Sequence, residues 1–295
     1  MADDFLAIIR AAASHPLLGD DSLVDRAATG GGTQSLIDSG LISYSNDRRY
    51  QNRWLYLWAT NNANKDGQER QVYSTQPWTG TLVFGNPTAS AVASGDQYLL
   101  FREFRFSDWL RFANDTARSL YYDREIYLQG QTDLLRYTLP VPLSQPGWIE
   151  AAFIGEYPFA FSTDFEHPRK IEWFRINPLS IVGDTYLLLT AAINASDQLV
   201  FQARVPYLHP HLSAYTMSRS VLVPFGESNA VSIPRNVLVA GMVWRALSTK
   251  IRFLTGEARN LWAANLDTAA RLYAEQLRGM GVWAAGKDVG YSVKW

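Results

Sequence analysis

Hydrophobic and polar positions change their spacing several times along the 295-residue chain. Near the start, Phe5, Ile8 and Ile9 share one helical face, with Asp3 and Asp4 at the positive end of the helix dipole. The stretch 14–52 is polar and Gly-rich, contains Asp20-Asp21 and Gly30-Gly31-Gly32, and shows little period. It predicts an extended arm or long loop. In 53–59, Trp54, Tyr56 and Trp58 alternate with Leu55 and Leu57, a strand apolar on both faces. Asn64-Lys65-Asp66-Gly67 supplies hairpin chemistry, and 69–75 predicts the return strand. Strands over 80–85 and 96–101, with a turn at Ser94-Gly95-Asp96, complete a β meander.

Residues 106–122 carry the clearest helical period. Phe106, Trp109, Leu110, Ala113, Ala117, Leu120 and Tyr121 form the apolar face, Asp108, Arg111, Asp115 and Arg118 the opposite one, and Ser107 suits the N-cap. Strand patterns return at 134–139, 148–155, 158–162, 170–176, 185–192, 198–205 and 221–225. Such spacing, broken by Pro and Gly, predicts an antiparallel sandwich. Pro234 fits the first position of a helix reaching about Leu254, apolar nearly all round and therefore buried. After Thr255-Gly256 a second helix, 257–278, carries a stripe of Trp262, Leu266, Ala269, Tyr273 and Leu277. Gly279 and Gly281 end it, leaving a tail, 282–295.

The predicted fold class is α+β. Helix 106–122 packs with the C-terminal helical hairpin as a helical core, beside an N-terminal β meander and an inserted antiparallel β sandwich. The domain reading is 1–52 for the N-terminal helix and arm, 53–125 for the meander and helix, 126–234 for the insertion, and 235–295 for the hairpin and tail.

Composition narrows the chemistry. The absence of Cys excludes a disulfide scaffold, a thiol nucleophile, an iron–sulfur cluster and a thiolate zinc site. A net charge of −1 gives no electrostatic reason to expect a nucleic acid or anionic membrane as partner. No run reaches the roughly 18 apolar residues of a membrane span, and the acidic start is unlike a secretory signal, so synthesis and folding in a cytoplasm are expected. The 10 Trp, 15 Tyr and 14 Phe suggest packing or binding more than catalysis. Charge is uneven: 235–295 holds nine basic against four acidic side chains, a net +5, so the remainder carries −6. That asymmetry fits either a solvated helix surface or contact with an acidic partner or passing DNA.

Catalytic signals are sparse. His209-Pro210-His211 offers two imidazoles, with His167 or Glu166 as a third ligand, but no established metal spacing supports them. Glu150, Glu156, Asp164, Glu166 and Glu172 are the acids a glycosidase pair would draw on. Gly30-Gly31-Gly32-Thr33 lacks the Lys-Ser/Thr of a phosphate-binding loop and reads as flexible arm. No G-x-S-x-G or G-x-G-x-x-G occurs. The expectation is no catalytic residue, no cofactor and no metal. Trp54, Trp58, Trp109, Trp148, Trp173, Trp244 and Trp262 read chiefly as packing. Trp283, Tyr291 and Trp295, on the terminal tail, read as residues that dock into a partner.

The run Arg53-Trp54-Leu55-Tyr56-Leu57, Glu69-Arg70-Gln71-Val72, Gly80-Thr81-Leu82-Val83-Phe84 and Ala91-Val92-Ala93-Ser94-Gly95-Asp96-Gln97-Tyr98-Leu99-Leu100-Phe101, leading into an amphipathic helix, resembles a segment of tailed-bacteriophage virion proteins. With the Ala/Arg-rich hairpin 235–278, it is similar to neck adaptors of the head–tail connector type, over about half the chain. The resemblance implies a homo-oligomeric ring of about twelve copies, a dodecamer, docked between portal and tail or nozzle proteins in the virion, with genomic DNA passing through. It implies no enzyme activity and no cofactor. Under it, Trp283, Tyr291, Trp295, Arg259, Arg271, Arg278 and Lys287 are the candidate partner-binding residues. Two alternatives stay open: another tail, collar or baseplate component, or a carbohydrate-binding module.

Overall fold

The computed structural model describes residues 5–19, 21–44, 49–62, 64, 66–129, 136–138, 149–156, 169–170, 174–177, 186–189, 197–206, 234–279 and 282–284. The chain is α+β and divides into two compact units, one of Met1–Ala117, Ala214–Pro224 and Ile233–Gln276, the other of Arg118–Ser213, Phe225–Ser232 and Leu277–Trp295.

The first unit holds a seven-stranded antiparallel open sheet. Its strands are β1 (Leu23–Ala27), β2 (Gly30–Gly31), β3 (Ser35–Ile37), β4 (Trp54–Ala59), β5 (Glu69–Gln76), β6 (Thr81–Phe84) and β7 (Gln97–Phe101), in the order β1-β7-β4-β5-β6-β3-β2. Two expectations are corrected here. Residues 14–52 are not a free arm: they supply three strands, and Ala28, Leu36 and Leu41 from them are buried with the sheet's core. The Gly-rich run is strand β2 with its turn, Gly31 having φ 154° and room for no side chain beside the Ser35 carbonyl. Nor do the four later strands form a simple meander. β7 crosses back to lie beside β4 rather than β6, because the connection 85–96 threads Val92 into the core. Thr88, through its N–H and hydroxyl, donates to the Thr33 carbonyl at 2.7 and 3.0 Å and fastens that connection.

The alternation in β4 now has its cause. Leu55 and Leu57 point into a cluster with Val72, Leu82, Phe84, Tyr98 and Leu100. On the opposite face, Tyr56 stacks on Phe106 with ring centroids 3.8 Å apart. A strand covered on both sides reads as a continuous apolar run. The sheet is strongly curled. Tyr98 of β7 reaches Asp38, just past β3, at 2.6 Å. In a flat sheet strands four places apart would be separated by about 19 Å.

Among the described residues four α-helices accompany the strands: α1 (Phe5–Ala13), α2 (Phe106–Arg118), α3 (Arg235–Arg252) and α4 (Gly256–Arg278). α1 buries Ile8, Ile9, Ala12 and Ala13 and packs on α3. Ser107 does not cap α2 as expected but sits one position inside it. The acceptors there are Asp108, which receives the Arg105 N–H at 3.1 Å, and Glu69 of β5, which receives the Ser107 N–H and hydroxyl at 2.6 and 3.0 Å. A neighbouring strand thus supplies the carboxylate that the helix start requires. Pro234 likewise stands at the N-cap of α3, not at its first turn. α2 crosses α3 closely, for a Cβ on Gly241 would lie 2.3 Å from Thr116 and 3.0 Å from the Tyr273 ring of α4.

The described elements that lie wholly in the second unit are strands: β8 (Leu120–Gln129), β9 (Arg136–Thr138), β10 (Ile149–Glu156), β11 (Arg169–Lys170), β12 (Phe174–Asn177), β13 (Tyr186–Leu189), β14 (Asp197–Pro206) and β15 (Val282–Ala284). They form a five-stranded sheet, β11-β10-β14-β8-β15, and a three-stranded sheet, β12-β13-β9, with antiparallel pairing throughout. The helix expected to reach residue 122 ends at Arg118, and Tyr121 and Tyr122 belong to β8. An aromatic- and Ile-bearing run paired with β14 along its length prevails over a helical period that Leu120 and Tyr121 only continued by coincidence. The predicted strands 158–162 and 221–225 lie outside the described residues.

Candidate functional site

The segment that carried the resemblance, Val92-Ala93-Ser94-Gly95-Asp96-Gln97-Tyr98, is a structural knot. Gly95 turns the chain at φ 91°. Asp96 is fully buried, and its carboxylate accepts the Asn61 and Ala93 N–H groups, both at 2.8 Å, while its carbonyl accepts the Ala28 N–H at 2.8 Å. Three chain segments are tied by one residue. Two places on, the Tyr98 hydroxyl donates to Asp38 Oδ2 at 2.6 Å, and Asp38 Oδ1 accepts the Gly40 N–H at 2.7 Å. Burial first, then that carboxylate, push the Tyr98 phenol far above its ordinary range, so it stays a donor. Asp96 and Tyr98, the buried polar residues of the segment, therefore serve the fold.

Basic residues of the C-terminal helices divide by role. Arg245 Nη2 donates to the Asp115 carbonyl at 2.9 Å and its Nε to Thr116 Oγ1 at 3.2 Å, joining α3 to α2. Lys250 forms an ion pair with Glu103 and lies 3.2 Å over the Trp262 ring. Burial lowers the Lys250 pKa, and Glu103 opposes that shift. Of the predicted partner contacts, Arg259 is exposed in the first turn of α4, Arg271 pairs with Asp267 at 2.6 Å on the exposed helix surface, and Arg278 ends that helix. Those positions are spread over 20 residues of one helix and do not converge on a point. Trp283 is corrected: its backbone is not on a free tail but in β15, opposite Tyr121 of β8. Tyr291, Trp295 and Lys287 lie outside the described residues, as do His167, His209 and His211.

Two exposed features were not read from the sequence. The first is the α3–α4 turn. Phe253 is 81% and Leu261 74% exposed, and every residue from 255 to 261 faces solvent. The second lies at the β5–β6 turn. Tyr44 and Trp78 are 85% and 59% exposed, with ring centroids 6.2 Å apart and planes at 57°. A hydrogen bond of 2.9 Å from the Ser43 N–H to the Pro77 carbonyl joins the residues just before the two rings. Ser43 and Pro77, though neither ring, help line a cavity of about 190 Å³ with Ile42, Arg49, Thr75, Gln76 and Thr81 among others. The signal that would have found Trp78 is its place in Gln76-Pro77-Trp78-Thr79-Gly80, where turn chemistry holds a large ring away from either strand face.

Of the remaining candidates, His15 has a structural role, and Asp164, Glu166 and Glu172 lie outside the described residues. His15 Nδ1 accepts the Leu17 N–H at 3.3 Å and caps a 3-10 turn, Pro16–Leu18, and burial lowers its pKa. Glu150 and Glu156 lie in β10. Among the described residues no group of three or more His, Asp or Glu is placed to hold a metal ion. No helix there is long and apolar enough to cross a membrane. Compared with protein-family models, with curated proteins and with solved structures, the chain matches none.

Proposed function

We propose that this chain is a structural subunit of a tailed-bacteriophage neck, a head-to-tail adaptor that acts as a ring of identical copies. It is made in the host cytoplasm, resides in the virion, binds portal and tail proteins, and performs no catalysis. In this reading α2 and the α3–α4 hairpin are the rigid core, and the two sheets of the second unit face one another as a sandwich.

The observation that carries the proposal is the α3–α4 turn. Two large apolar side chains, Phe253 at the end of α3 and Leu261 in α4, stand in solvent at 81% and 74% exposure, and the stretch 255–261 is exposed at every position. Helical turns without packing are marginal in water, and exposed apolar clusters mark contact sites. A neighbouring copy covering this tip would stabilise both. Basic Arg252 and Arg259 flank it, and the rest of the chain, with its net negative charge, is the complementary surface.

The test is the double variant Phe253→Ser with Leu261→Ser. Because neither side chain is buried within the chain, the variant is expected to keep its fold by circular dichroism, while the oligomer seen by native mass spectrometry collapses to monomer and the melting temperature loses its dependence on concentration. An unchanged oligomer would remove the hairpin tip from the interface.

A further inference from the structure

We propose, resting on the adaptor reading, that the Tyr44–Trp78 pair is the surface on which the α3–α4 turn of the next copy docks. The ring then closes by a head-to-tail contact between two unlike patches of the same chain.

The three most exposed large apolar side chains among the described residues are Tyr44, Phe253 and Leu261. They fall in two patches, both inside the first compact unit, so every copy carries both on one body. The patches differ in chemistry. The turn presents Phe253 and Leu261 together with Arg252 and Arg259, all exposed. The other patch presents two aromatic rings with centroids 6.2 Å apart. The bond from the Ser43 N–H to the Pro77 carbonyl ties the segments that bear those rings, so they lose little freedom on contact.

That difference selects the occupant. Turn against turn, in a two-fold contact, would gather four guanidinium groups, and like charges across an interface repel. Turn against rings places guanidinium groups over aromatic faces, whose quadrupole attracts them. The chain already uses this pairing within itself. Arg10 lies 4.4 Å over the Trp58 ring, Arg105 4.0 Å over Trp54 and Arg245 5.5 Å over Trp244. Trp, Tyr and Arg are also the side chains that dominate contact energies, and such anchors face one another across an interface. Tyr and Trp each bring about 150–250 Å², against about 800 Å² per partner in an interface of ordinary size. The pair is therefore its anchor and not its whole extent. Unlike patches also settle the topology: each contact leaves one free turn and one free ring pair at the ends, and the series stops only by closing.

The experiment mixes full-length variants and reads their mass by native mass spectrometry. Tyr44→Ala with Trp78→Ala removes the rings and leaves the turn, whereas Phe253→Ser with Leu261→Ser removes the turn and leaves the rings. All four side chains are exposed, so both variants are expected to keep the circular dichroism of the parent. Each alone is expected to be monomeric. An equal mixture is expected to give a one-to-one heterodimer that grows no further, because two such chains hold one sound turn and one sound ring pair between them. Adding Arg252→Gln and Arg259→Gln to the chain that supplies the turn is expected to weaken the heterodimer at least about fivefold. The chain has no Cys, so Thr79→Cys and Ala258→Cys chains, each carrying one thiol at an exposed position, can be mixed and oxidised with diamide. The mixed disulfide is expected to exceed each symmetric one. A ring variant that keeps the oligomer while the turn variant loses it overturns this contact and leaves the adaptor reading standing. An oligomer kept by both variants removes the turn from the interface as well. Monomers in the mixture, a heterodimer indifferent to both arginines, or symmetric disulfides in place of the mixed one also overturn the proposal.

Discussion

Removing the Tyr98 hydroxyl tests how the curled sheet is locked. Asp38 is 3% exposed and sits between β3 and the β5–β6 turn, its N–H donating to the Gly80 carbonyl at 3.0 Å. Its carboxylate has three described neighbours: the Tyr98 hydroxyl at 2.6 Å, the Gly40 N–H at 2.7 Å, and Arg26 Nη1 at 3.9 Å. Tyr98→Phe keeps the ring in its pocket and deletes only the donor. A hydrogen bond to a charged, buried acceptor is worth about 1.5–3 kcal/mol. In a domain of 150–250 residues each kcal/mol moves the melting temperature by about 2–4 °C. The expected fall is therefore about 3–12 °C by circular dichroism, with an unchanged urea m-value because the exposed surface is unaltered. Tyr73→Phe, at a side chain 60% exposed, is the control and should not shift the transition. In a double-mutant cycle with Asp38→Asn the two positions should couple by at least about 1 kcal/mol. A fall below about 1 °C, or a coupling near zero, would refute the idea that this bond holds the sheet's far strands together.

Gly241→Ala should destabilise the chain by about 1–3 kcal/mol despite alanine's better helix propensity, because the new methyl meets the Thr116 Cγ2 at 2.3 Å. Adding Thr116→Ser removes that Cγ2 and keeps the hydroxyl that bonds Phe112 and Arg245, so chemical denaturation should show partial recovery, with the contacts to Oγ1 and the Tyr273 ring at 3.0 Å remaining. Glu69→Ala strips the acceptor from the start of α2 and should cost about 1–2 kcal/mol, read in the same assay. His15 has a depressed pKa in the folded chain, so below its ordinary value of 6.5 the unfolded chain takes up a proton the folded one resists. Stability is thus complete above that value and falls as the pH drops through the folded pKa; His15→Asn should flatten this part of a melting-temperature profile between about pH 7.5 and 5.

What the sequence made legible was the period of single elements. β4 was visible because both its faces are covered, and α3 because its apolar residues run nearly all round and are buried. What was not legible depends on pairing between distant segments. β1, β2 and β3 are short, β2 is a pair of glycines, and they acquire their strand character from pairing with β7, β3 and β6 rather than from their own sequence. The helix-to-strand change at Leu120 was hidden because Leu120 and Tyr121 happen to extend the spacing of α2. At the candidate sites the aromatic content pointed to binding, but which rings face water depends on the turn that carries each one. Trp78 is held out by a Pro-containing turn, whereas Trp109 and Trp244 are buried on helices.

The neck reading stands most directly on assembly, and native mass spectrometry with negative-stain imaging of the purified chain is the measurement that tests it. The account predicts closed rings whose mass is an integer multiple of the 33.2 kDa chain, about twelve copies each, persisting on dilution and lost in the Phe253→Ser, Leu261→Ser variant. A chain that remains monomeric over the whole concentration series, and stays so when mixed with a phage portal ring, would contradict it.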